Sequence, residues 1–445
     1  MSIVRYLDET KLKSFHIILL AIAFLVYMFA AMNTIIISPT LPRISEELQL
    51  NPVNLGFLLS IGFVGMLFGA LAFGWLGDII GRKPALVATI AIHSIFTALF
   101  GTTHDYNLLL LYRFLAGLGL GGVLPIPGVY ISEYTPAKYR GTFVGLIETA
   151  WVWGTILSIV ISIAFLPTWD WEGVFLWGIL SVILLPAIIV FLPETVRYLE
   201  EKGKIDQAIE ILERYNLIEK KISVETIKKE DRRKIKFQEL FGKEYVKKTL
   251  LIMTLWFILV YTYYGVFLWL TKILREKYNL LGSLIWTLII IIAQIPGYYS
   301  AALLLDKIGR KKVLSIYLIS ASIGSLIVAL AEYMEIGTIK LYGYEIGVLL
   351  LLGFLLISFF NLGAWSGLYT YTPELFPTEY RATGSGIGAA TGRFAGILQP
   401  IITAIMLSSG GLIPVYLKLF FLHLLGGLAV LLFGIETKQL RLEEI

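Results

Sequence analysis

Three ionisable side chains, Arg113, Glu148 and Arg393, lie inside long apolar stretches of the chain. A charge in a bilayer costs roughly 2.5–3.5 kcal/mol on insertion scales, and such a residue usually faces the protein interior. A buried arginine can bind the carboxylate of an anionic substrate, and a buried carboxyl can exchange protons. We therefore interpret all three as candidate substrate-binding residues and Glu148 also as the candidate for proton coupling. The alternative for each is a structural hydrogen bond between helices.

The position of each group along its apolar stretch predicts which of them are neighbours. At a rise of ~1.5 Å per residue, Arg113 and Glu148 differ in height by about 16 Å, so a direct pair between them is not expected. Asn33 shares the level of Arg113, whereas Glu148 lies near the level of Gln294 and Arg393. Asn33 and Gln294 are therefore added to the candidate substrate-binding residues.

Aromatic and amide side chains recur at helical spacing in two further apolar stretches. Tyr261 and Tyr264 follow Phe257 in one stretch, and Asn361 and Trp365 lie in another. Such rings can stack on a planar ring or on a sugar face, and a buried amide such as that of Asn361 needs a partner. The alternative is packing against lipid or between helices. Both tyrosines, the asparagine and the tryptophan are candidate substrate contacts.

Three charged cassettes occur twice in the same order, once in each half. The pairs are GWLGDIIGRK (74–83) with ALLLDKIGRK (302–311), SEYTPAKYRG (132–141) with PELFPTEYRA (373–382), and PETVRY (193–198) with IETKQL (435–440). Each cassette lies where an apolar segment meets a loop. The repetition predicts two copies of one membrane-embedded unit.

The composition agrees with a polytopic membrane protein. The chain is 57% hydrophobic and 16% charged, with a mean hydropathy of +0.78, which is too apolar for a soluble protein. The net charge of +5 is scattered among loops, so we expect no nucleic-acid partner. No cysteine is present, which excludes disulfides and thiol chemistry. The charged N-terminus precedes a long apolar span without a cleavage site, so no removable signal peptide is expected.

Apolar runs of at least ~18 residues give six spans in each half. We predict an all-α membrane protein with twelve transmembrane helices in two pseudo-symmetric six-helix bundles. Residues 1–192 form the N-terminal bundle, 193–247 a linker, and 248–445 the C-terminal bundle. Apolar residues at three-to-four spacing in 205–212 predict an amphipathic helix in the linker, with a solvated connector as the alternative.

The distribution of basic residues predicts the orientation. Arginine and lysine are concentrated in the cassette loops and in the linker, whereas the opposite loops hold only Arg43, Lys272, Arg275, Lys277 and Lys340. By the positive-inside rule the cassette side is cytoplasmic. We therefore expect a multi-pass protein of the cytoplasmic membrane with both termini in the cytoplasm.

The cassette pattern resembles the major facilitator superfamily over essentially the whole chain. Its signature between the second and third helices is present as Gly74, Asp78, Gly81, Arg82 and Lys83. The resemblance implies an alternating-access secondary transporter whose first, fourth, seventh and tenth helices line the cavity. The charged cassettes can then latch the halves together while the cytoplasmic side is closed; the alternative is a plain positive-inside loop. The predicted latch consists of Asp78, Arg82, Glu133, Arg140 and Glu194, mirrored by Asp306, Arg310, Glu374, Arg381 and Glu436.

Longer motifs point to a subgroup. The segments 60–74, 146–154, 293–311 and 371–400 look like the bacterial niacin and metabolite:proton symporters, which are relatives of the aromatic-acid symporters and the organic-ion transporters. Sugar porters share the motifs at 113–122 and 193–199, but their glutamine pair is missing from the seventh helix. The expected substrate is a small organic acid, aromatic acids included. The alternatives are a sugar or polyol carrier, as symporter or uniporter, and a transporter-like sensor without transport.

The first helix departs from the symporter pattern. Where the symporters carry two aspartates, this chain has Ala30 and Asn33. An aspartate can take up and release a proton and an amide cannot, so proton coupling through the first helix is in question. The resemblance also places Arg113 beside an aspartate that this chain lacks, which favours an anionic substrate there. Asn33-Thr34 resembles facilitative sugar transporters and leaves uniport open.

Other signals have structural interpretations. GLGLGG at 117–122 follows no strand and lies within a span, which indicates close helix packing and not nucleotide binding. His93 and His423 lack a second ligand at metal spacing, so hydrogen bonding or packing is expected. Lys418 is expected to snorkel to the interface. No catalytic arrangement, phosphate loop or metal cluster is present. We expect no enzyme activity, metal or cofactor, and a monomer surrounded by lipid.

Overall fold

The computed structural model describes residues 7–8, 10–217, 237–331, 333–334, 337–341, 343–377 and 379–438. Part of the predicted linker and the end of the last cassette, at 439–440, lie outside the described residues.

The helices of the N-terminal half, in chain order, are α1 (Ser14–Ile35), α2 (Ile37–Glu47), α3 (Pro52–Ile80), α4 (Arg82–Phe100), α5 (Tyr106–Val123), α6 (Pro125–Tyr134), α7 (Ala137–Leu176) and, after the 3₁₀ turn Trp177–Ile183, α8 (Leu184–Phe191). Two short helices of the linker follow, α9 (Val196–Glu201) and α10 (Ile205–Arg214). In α10 the side chains of Ala208 and Leu212 are buried on one face, as amphipathic spacing requires.

The C-terminal half begins with a 3₁₀ turn, Phe237–Phe241. It continues with α11 (Val246–Phe267), α12 (Leu270–Lys277), α13 (Leu280–Ile292), α14 (Gln294–Ile308), α15 (Arg310–Ala331), β1 (Thr338–Leu341), β2 (Tyr344–Gly347), α16 (Val348–Glu374), α17 (Arg381–Gly410) and α18 (Leu412–Phe433). The strands form one antiparallel hairpin in which Lys340 lies opposite Glu345.

Eleven stretches of helix among the described residues are long and apolar enough to cross a membrane. The longest covers 137–191 and contains a break at Asp170, whose φ of 50° and ψ of −166° are not helical. A break of this kind divides a 55-residue stretch into two crossings. The prediction of twelve transmembrane helices is confirmed.

Large apolar side chains remain on the outside of these helices. The side chain of Trp75 is 67% exposed and that of Phe433 is 74% exposed. A helix that is hydrophobic all round must be covered by protein or by lipid. Exposed apolar side chains of this size are what a helix in contact with lipid presents.

The described helices form two compact units. One consists of Met1–Thr34, Val64–Leu157 and Glu172–Arg232, and the other of Ile35–Phe63, Ser158–Trp171 and Arg233–Ile445. Besides the C-terminal helices, the second unit thus contains the ends of the N-terminal spans that lie opposite the cassettes. The boundaries of the two sequence halves, at 192 and 247, stay a prediction.

Glycine packing joins the helices of the first unit. A Cβ atom on Gly121 of α5 would clash with the carbonyl oxygen of Met66 in α3, and one on Gly119 would lie 2.5 Å from the backbone nitrogen of His93 in α4. Small residues of this kind allow helix backbones to approach closely. The interpretation of GLGLGG as a packing motif is confirmed.

Candidate functional site

In the first unit, Arg113 binds the backbone of the first span at the point where α1 ends. Its guanidinium donates to the carbonyl oxygens of Asn33, at 3.2 Å, and of Thr34, at 2.8 Å. The last carbonyls of a helix have no partner within the helix. Arg113 is 3% exposed and stabilises this break from within the bundle. The expected proximity of Asn33 and Arg113 is observed, although the contact is to the backbone.

The side chain of Asn33 lies at the centre of a buried hydrogen-bond network. Its Nδ2 lies 2.9 Å from Nδ1 of His93 in α4, and it donates to Gly178 O at 3.1 Å and to Ser181 Oγ at 3.2 Å in the following 3₁₀ turn. Asn33 is 0% exposed. An aspartate could not donate these bonds, so the amide suits this position. The interpretation of His93 as a hydrogen-bonding residue is confirmed.

Glu148 lies on α7 where that helix passes close to α1. The phenol of Tyr27 donates to its Oε2 at 3.0 Å, and the Tyr27 ring meets the edge of Trp151 at 6.1 Å between centroids. Tyr27 is buried and Glu148 is partly exposed. The Glu148 carboxyl therefore accepts a hydrogen bond from a fixed phenol and is also partly accessible from outside the helix packing. A proton-exchanging group can use this arrangement.

In the second unit, the aromatic stripes of α11 and α16 meet. The ring of Trp365 stands edge-on to Trp256 at 5.7 Å and to Tyr263 at 6.4 Å between centroids. Tyr261 stacks on its neighbour one turn earlier, Phe257, at 5.7 Å. Trp365 is partly exposed. The structure thus places most of the predicted ring surface on two adjacent helices.

Tyr264 has a different environment from the other rings. Its ring centroid lies 4.5 Å from that of Phe63. Phe63 is the last residue of the segment Ile35–Phe63, which belongs to the second unit. This edge contact joins α3 to α11.

The two predicted amides of the second unit differ in how they are satisfied. Asn361 Nδ2 donates to Thr262 Oγ1 at 2.9 Å and lies 2.9 Å from Nε2 of His423, whose Nδ1 is 3.1 Å from Ser325 Oγ. Gln294 is 0% exposed, and neither its Nε2 nor its Oε1 has a hydrogen-bond partner among the described residues. A buried polar group left unbonded costs about 1–3 kcal/mol. Gln294 thus has both amide atoms available to a polar ligand, whereas Asn361 uses its Nδ2 to connect helices and leaves only Oδ1 without a partner in the described part of the chain.

The remaining cations of the C-terminal spans are Arg393 and Lys418. Arg393 is partly exposed on α17, and its role as a substrate contact stays a prediction. Lys418 was expected to snorkel, and that expectation is wrong. Its ammonium lies 4.9 Å from the ring centroid of Tyr261 and 3.4 Å from Thr403 Oγ1, because the side chain turns inward between α11 and α17.

The cassettes of the first unit form a network around the start of α4. Arg82 pairs with Asp78 at 2.5 Å. Glu194 accepts from the backbone nitrogens of Arg82 at 2.9 Å and of Lys83 at 3.2 Å. The carboxylate therefore satisfies free amides at a helix N-terminus, where negative charge is favoured.

The second unit repeats the same arrangement at the start of α15. Arg310 pairs with Asp306 at 2.9 Å and with Glu374 at 3.0 Å, and its backbone nitrogen donates to Glu436 at 2.8 Å.

The geometry that the two units share explains the glycine before each Arg-Lys pair. Gly81 has a φ of 106° and Gly309 a φ of 99°, which other residues adopt only with strain. A Cβ on either glycine would also clash with the carboxylate of Glu194 or Glu436, respectively. The Gly-Arg-Lys sequence therefore has the same structural cause in both units.

The other predicted latch residues make contacts of their own. Arg140 pairs with Asp8 and donates to Thr135 O at 3.1 Å, while Arg381 donates to Pro373 O at 3.0 Å. Glu133 is buried, with 6% of its surface exposed. The behaviour of these residues during a transport cycle stays a prediction.

Sequence reasoning missed a second group of charges, at the end of the spans opposite the cassettes. Arg43 pairs with Asp170 through two contacts, one of them Nε to Oδ1 at 3.0 Å, and with Glu46 at 3.6 Å. Arg275 pairs with Glu46 at 3.1 Å. We call these four residues the opposite-end network. From the sequence alone, the two arginines are treated only as loop charges. Glu46 and Asp170, which lie beside the ends of spans, were the signal from which the pairs could have been found.

Polar and close-packed contacts also join the N-terminal segment of the second unit to its C-terminal helices. Ser38 Oγ donates to Phe267 O and Ser60 Oγ to Ile397 O, both at 2.6 Å. A Cβ on Gly56 would lie 2.9 Å from the Cβ of Ala404. The ends of the first and second spans are therefore held against α11 and α17.

Two six-span halves, each with the same cassette network, define a membrane transporter built from a repeat. A family profile described as "Sugar (and other) transporter" matches residues 17–445. The chain belongs to this family of the major facilitator superfamily. It is a secondary transporter and a multi-pass membrane protein, as its sequence predicted.

The relatives agree with this assignment. A niacin transporter of Acinetobacter baylyi is 34% identical over 453 residues, with all of both chains covered. A benzoate transport protein of the same organism is 27% identical over 415 residues, covering 90% of this chain and 86% of the relative. The fold is similar to that of the E. coli xylose transporter in a partially occluded inward-open conformation, with a TM-score of 0.76, 19% identity, and coverage of 96% of this chain and 100% of that one.

Proposed function

We propose that the protein carries a small aromatic acid, such as nicotinate or benzoate, across the cytoplasmic membrane. The observation that carries this proposal is the end-to-end match to the niacin transporter. The relative named for benzoate supports the same class, because nicotinate and benzoate are both planar rings bearing one carboxylate.

The described side chains supply groups that suit such a substrate. Trp365 and Tyr261 offer ring faces, Gln294 offers a buried amide with donor and acceptor atoms to satisfy, and Arg393 offers a positive charge. The full proposed set is Asn33, Arg113, Glu148, Tyr261, Tyr264, Gln294, Asn361, Trp365 and Arg393. Within it we assign Asn33, Arg113 and Asn361 an indirect role, because their hydrogen bonds hold helices together.

Glu148 is the proposed proton-coupling residue. Its carboxyl can be neutral or charged, and its contact with the Tyr27 phenol gives the charged form a donor. Ala30 and Asn33 stand where the resemblance to the symporters implies aspartates, and neither side chain titrates. Coupling is therefore assigned to α7 and not to α1.

Alternating access is proposed to use two sets of charges. The ten cassette residues act as the cytoplasmic latch, with both termini on that side. The opposite-end network, together with Ser38 and Ser60, holds the other end closed. Each transport cycle then breaks one set of contacts and forms the other. A single chain contains both sets, so we propose that it works as a monomer.

Ligand-induced thermal stabilisation tests the substrate class directly. A ligand that binds the folded state raises the melting temperature in a concentration-dependent way. We expect purified protein to be stabilised by nicotinate and benzoate and not by xylose or by neutral amino acids. Stabilisation by sugars alone would refute the proposal and support the second candidate, a sugar or polyol carrier. The family profile includes sugar transporters, but the glutamine pair of sugar porters is missing from 256–270.

A further inference from the structure

Lys418 is a cation held within the helix packing of the second unit. It is the seventh residue of α18, so it lies about 9 Å along the helix from Leu412 at ~1.5 Å per residue. Its ammonium lies over the ring of Tyr261 in α11, 4.9 Å from the centroid, and 3.4 Å from Thr403 Oγ1 in α17. The side chain is therefore directed into the bundle and not toward the membrane surface.

No carboxylate among the described residues pairs with this ammonium. Its contacts there are the Tyr261 ring and the Thr403 hydroxyl. A cation inside a membrane span usually has an ionic partner or lies on a substrate pathway. Attraction to a ring face compensates only part of the lost hydration. No acidic residue among the described ones therefore neutralises the charge of Lys418.

A second polar group at the same place lacks part of its hydrogen bonding. Gln399 donates from Nε2 to Thr403 Oγ1 at 2.8 Å. Gln399 is 0% exposed, and its Oε1 has no hydrogen-bond partner among the described residues. Gly265 of α11 lies opposite this amide, where a Cβ would come within 3.0 Å of Nε2. A buried amide oxygen without a donor is costly, and this amide is connected to the lysine through Thr403 Oγ1.

We propose that Lys418 binds the carboxylate of the transported acid, with the hydroxyl of Thr403 as a second donor. This inference rests on the proposed function, in which the substrate is an organic acid. In the structure the Tyr261 ring holds the ammonium in place. An incoming carboxylate offers a full negative charge and charge-assisted hydrogen bonds, which are stronger than attraction to the ring, so the ammonium exchanges partners.

A transported solute fits this position better than a lipid headgroup does. Headgroups lie at the membrane interface, whereas Lys418 is more than one helical turn inside α18 and is directed toward α11 and α17. The carboxylate ligand is therefore assigned to the substrate.

The test compares an acid with its neutral amide. Dissociation constants for nicotinate and nicotinamide are measured by calorimetry on the purified full-length protein and on the Lys418→Met variant. We expect nicotinate to bind the variant about ten-fold more weakly or worse, which is the usual contribution of a hydrogen bond to a charged group. Nicotinamide should change by less than about two-fold because it carries no charge for Lys418 to bind. Lys418→Arg should retain the preference for the acid.

Two further variants and two possible outcomes complete the test. Lys340→Met removes an exposed lysine of the hairpin, and nicotinate binding should not change. Lys418→Gln replaces Lys418→Met if the latter does not fold, with the same expected loss. If wild-type protein prefers nicotinate and both neutral variants keep that preference, the assignment of Lys418 is wrong. If wild-type protein itself does not prefer the acid, the proposed function has failed.

Titrations in nanodiscs test whether an anionic lipid headgroup, and not the substrate, is the ligand of Lys418. The same titrations are repeated in phosphatidylcholine nanodiscs with and without phosphatidylglycerol. A difference between wild type and Lys418→Met that appears only in the response to phosphatidylglycerol would overturn the proposal.

Discussion

The opposite-end network gives the sharpest prediction about the transport cycle. Replacing Arg43 with methionine removes the charge that pairs with both Asp170 and Glu46, and it leaves a side chain of similar length. If this network keeps its end of the protein closed, the variant should open at that end more often than the wild type does. The closed form should lose stability relative to the open form.

The size of the shift follows from the exposure of the pair. The side chains of Arg43 and Asp170 are 35% and 29% exposed, so solvent screens much of their attraction. A partly exposed pair of this kind contributes about 1 kcal/mol. A change of about 1 kcal/mol corresponds to an about five-fold shift in the equilibrium between closed and open forms.

The assay uses the absence of cysteine from the chain. Ser60 is 3% exposed and lies on α3 about two turns from its start, so Ser60→Cys introduces the only thiol in the protein. Its rate of reaction with a membrane-impermeant maleimide should report the open fraction when opening and closing are fast. We expect labelling about five-fold faster when Arg43→Met is added.

Two controls separate this explanation from a general loss of charge. Lys340→Met removes a cation whose pair with Glu345 is more than half exposed on both sides, at 64% and 54%, and should not alter labelling. Adding Asp170→Asn to Arg43→Met should produce little further acceleration, because the two changes remove the same interaction. Equal labelling rates for Ser60→Cys alone and for Ser60→Cys combined with Arg43→Met would show that the network does not hold this end closed.

Three other changes test separate parts of the structure. Glu148→Gln should abolish accumulation driven by a pH gradient and spare exchange in proteoliposomes; intact accumulation would move the proton site elsewhere. Glu374→Gln should lower the free energy of unfolding by about 2 kcal/mol in a melting experiment, because it breaks a charged hydrogen bond in the cassette network. As a control, Asp306→Asn changes a carboxylate that is 83% exposed and should have little effect. Gly121→Ala should sharply lower the yield of folded protein measured by size-exclusion chromatography, because its Cβ would clash with a helix backbone. Gly128→Ala, whose Cβ would meet nothing within 4 Å, should leave that yield unchanged.

The cassettes could be predicted because their spacing is local. A Gly-Arg-Lys sequence between two apolar stretches specifies a helix end, a positive φ and a start of the next helix within a few residues. Because each cassette occurs twice, one copy supports the structure predicted for the other. Only the partner of the free amides, Glu194 in one unit and Glu436 in the other, depends on a distant part of the chain, and both lie in a repeated cassette.

Contacts between distant helices could not be predicted in the same way. Arg43 and Asp170 are separated by 127 positions, and no periodic pattern connects them. The direction of Lys418 depends on which helices flank α18, since a lysine can snorkel or turn inward with the same sequence around it. The role of Asn33 as a donor likewise depends on His93, which arrives from another helix. The common depth of Asn33 and Arg113 could be predicted from the sequence, whereas the direction in which each side chain points could not.

The central claim, that this chain transports an aromatic acid, is tested most directly by uptake into proteoliposomes. Purified protein should give saturable uptake of radiolabelled nicotinate that benzoate inhibits and xylose does not, with none in protein-free liposomes. An imposed inward proton gradient should raise accumulation if Glu148 couples transport. Uptake of xylose without uptake of nicotinate would contradict the account.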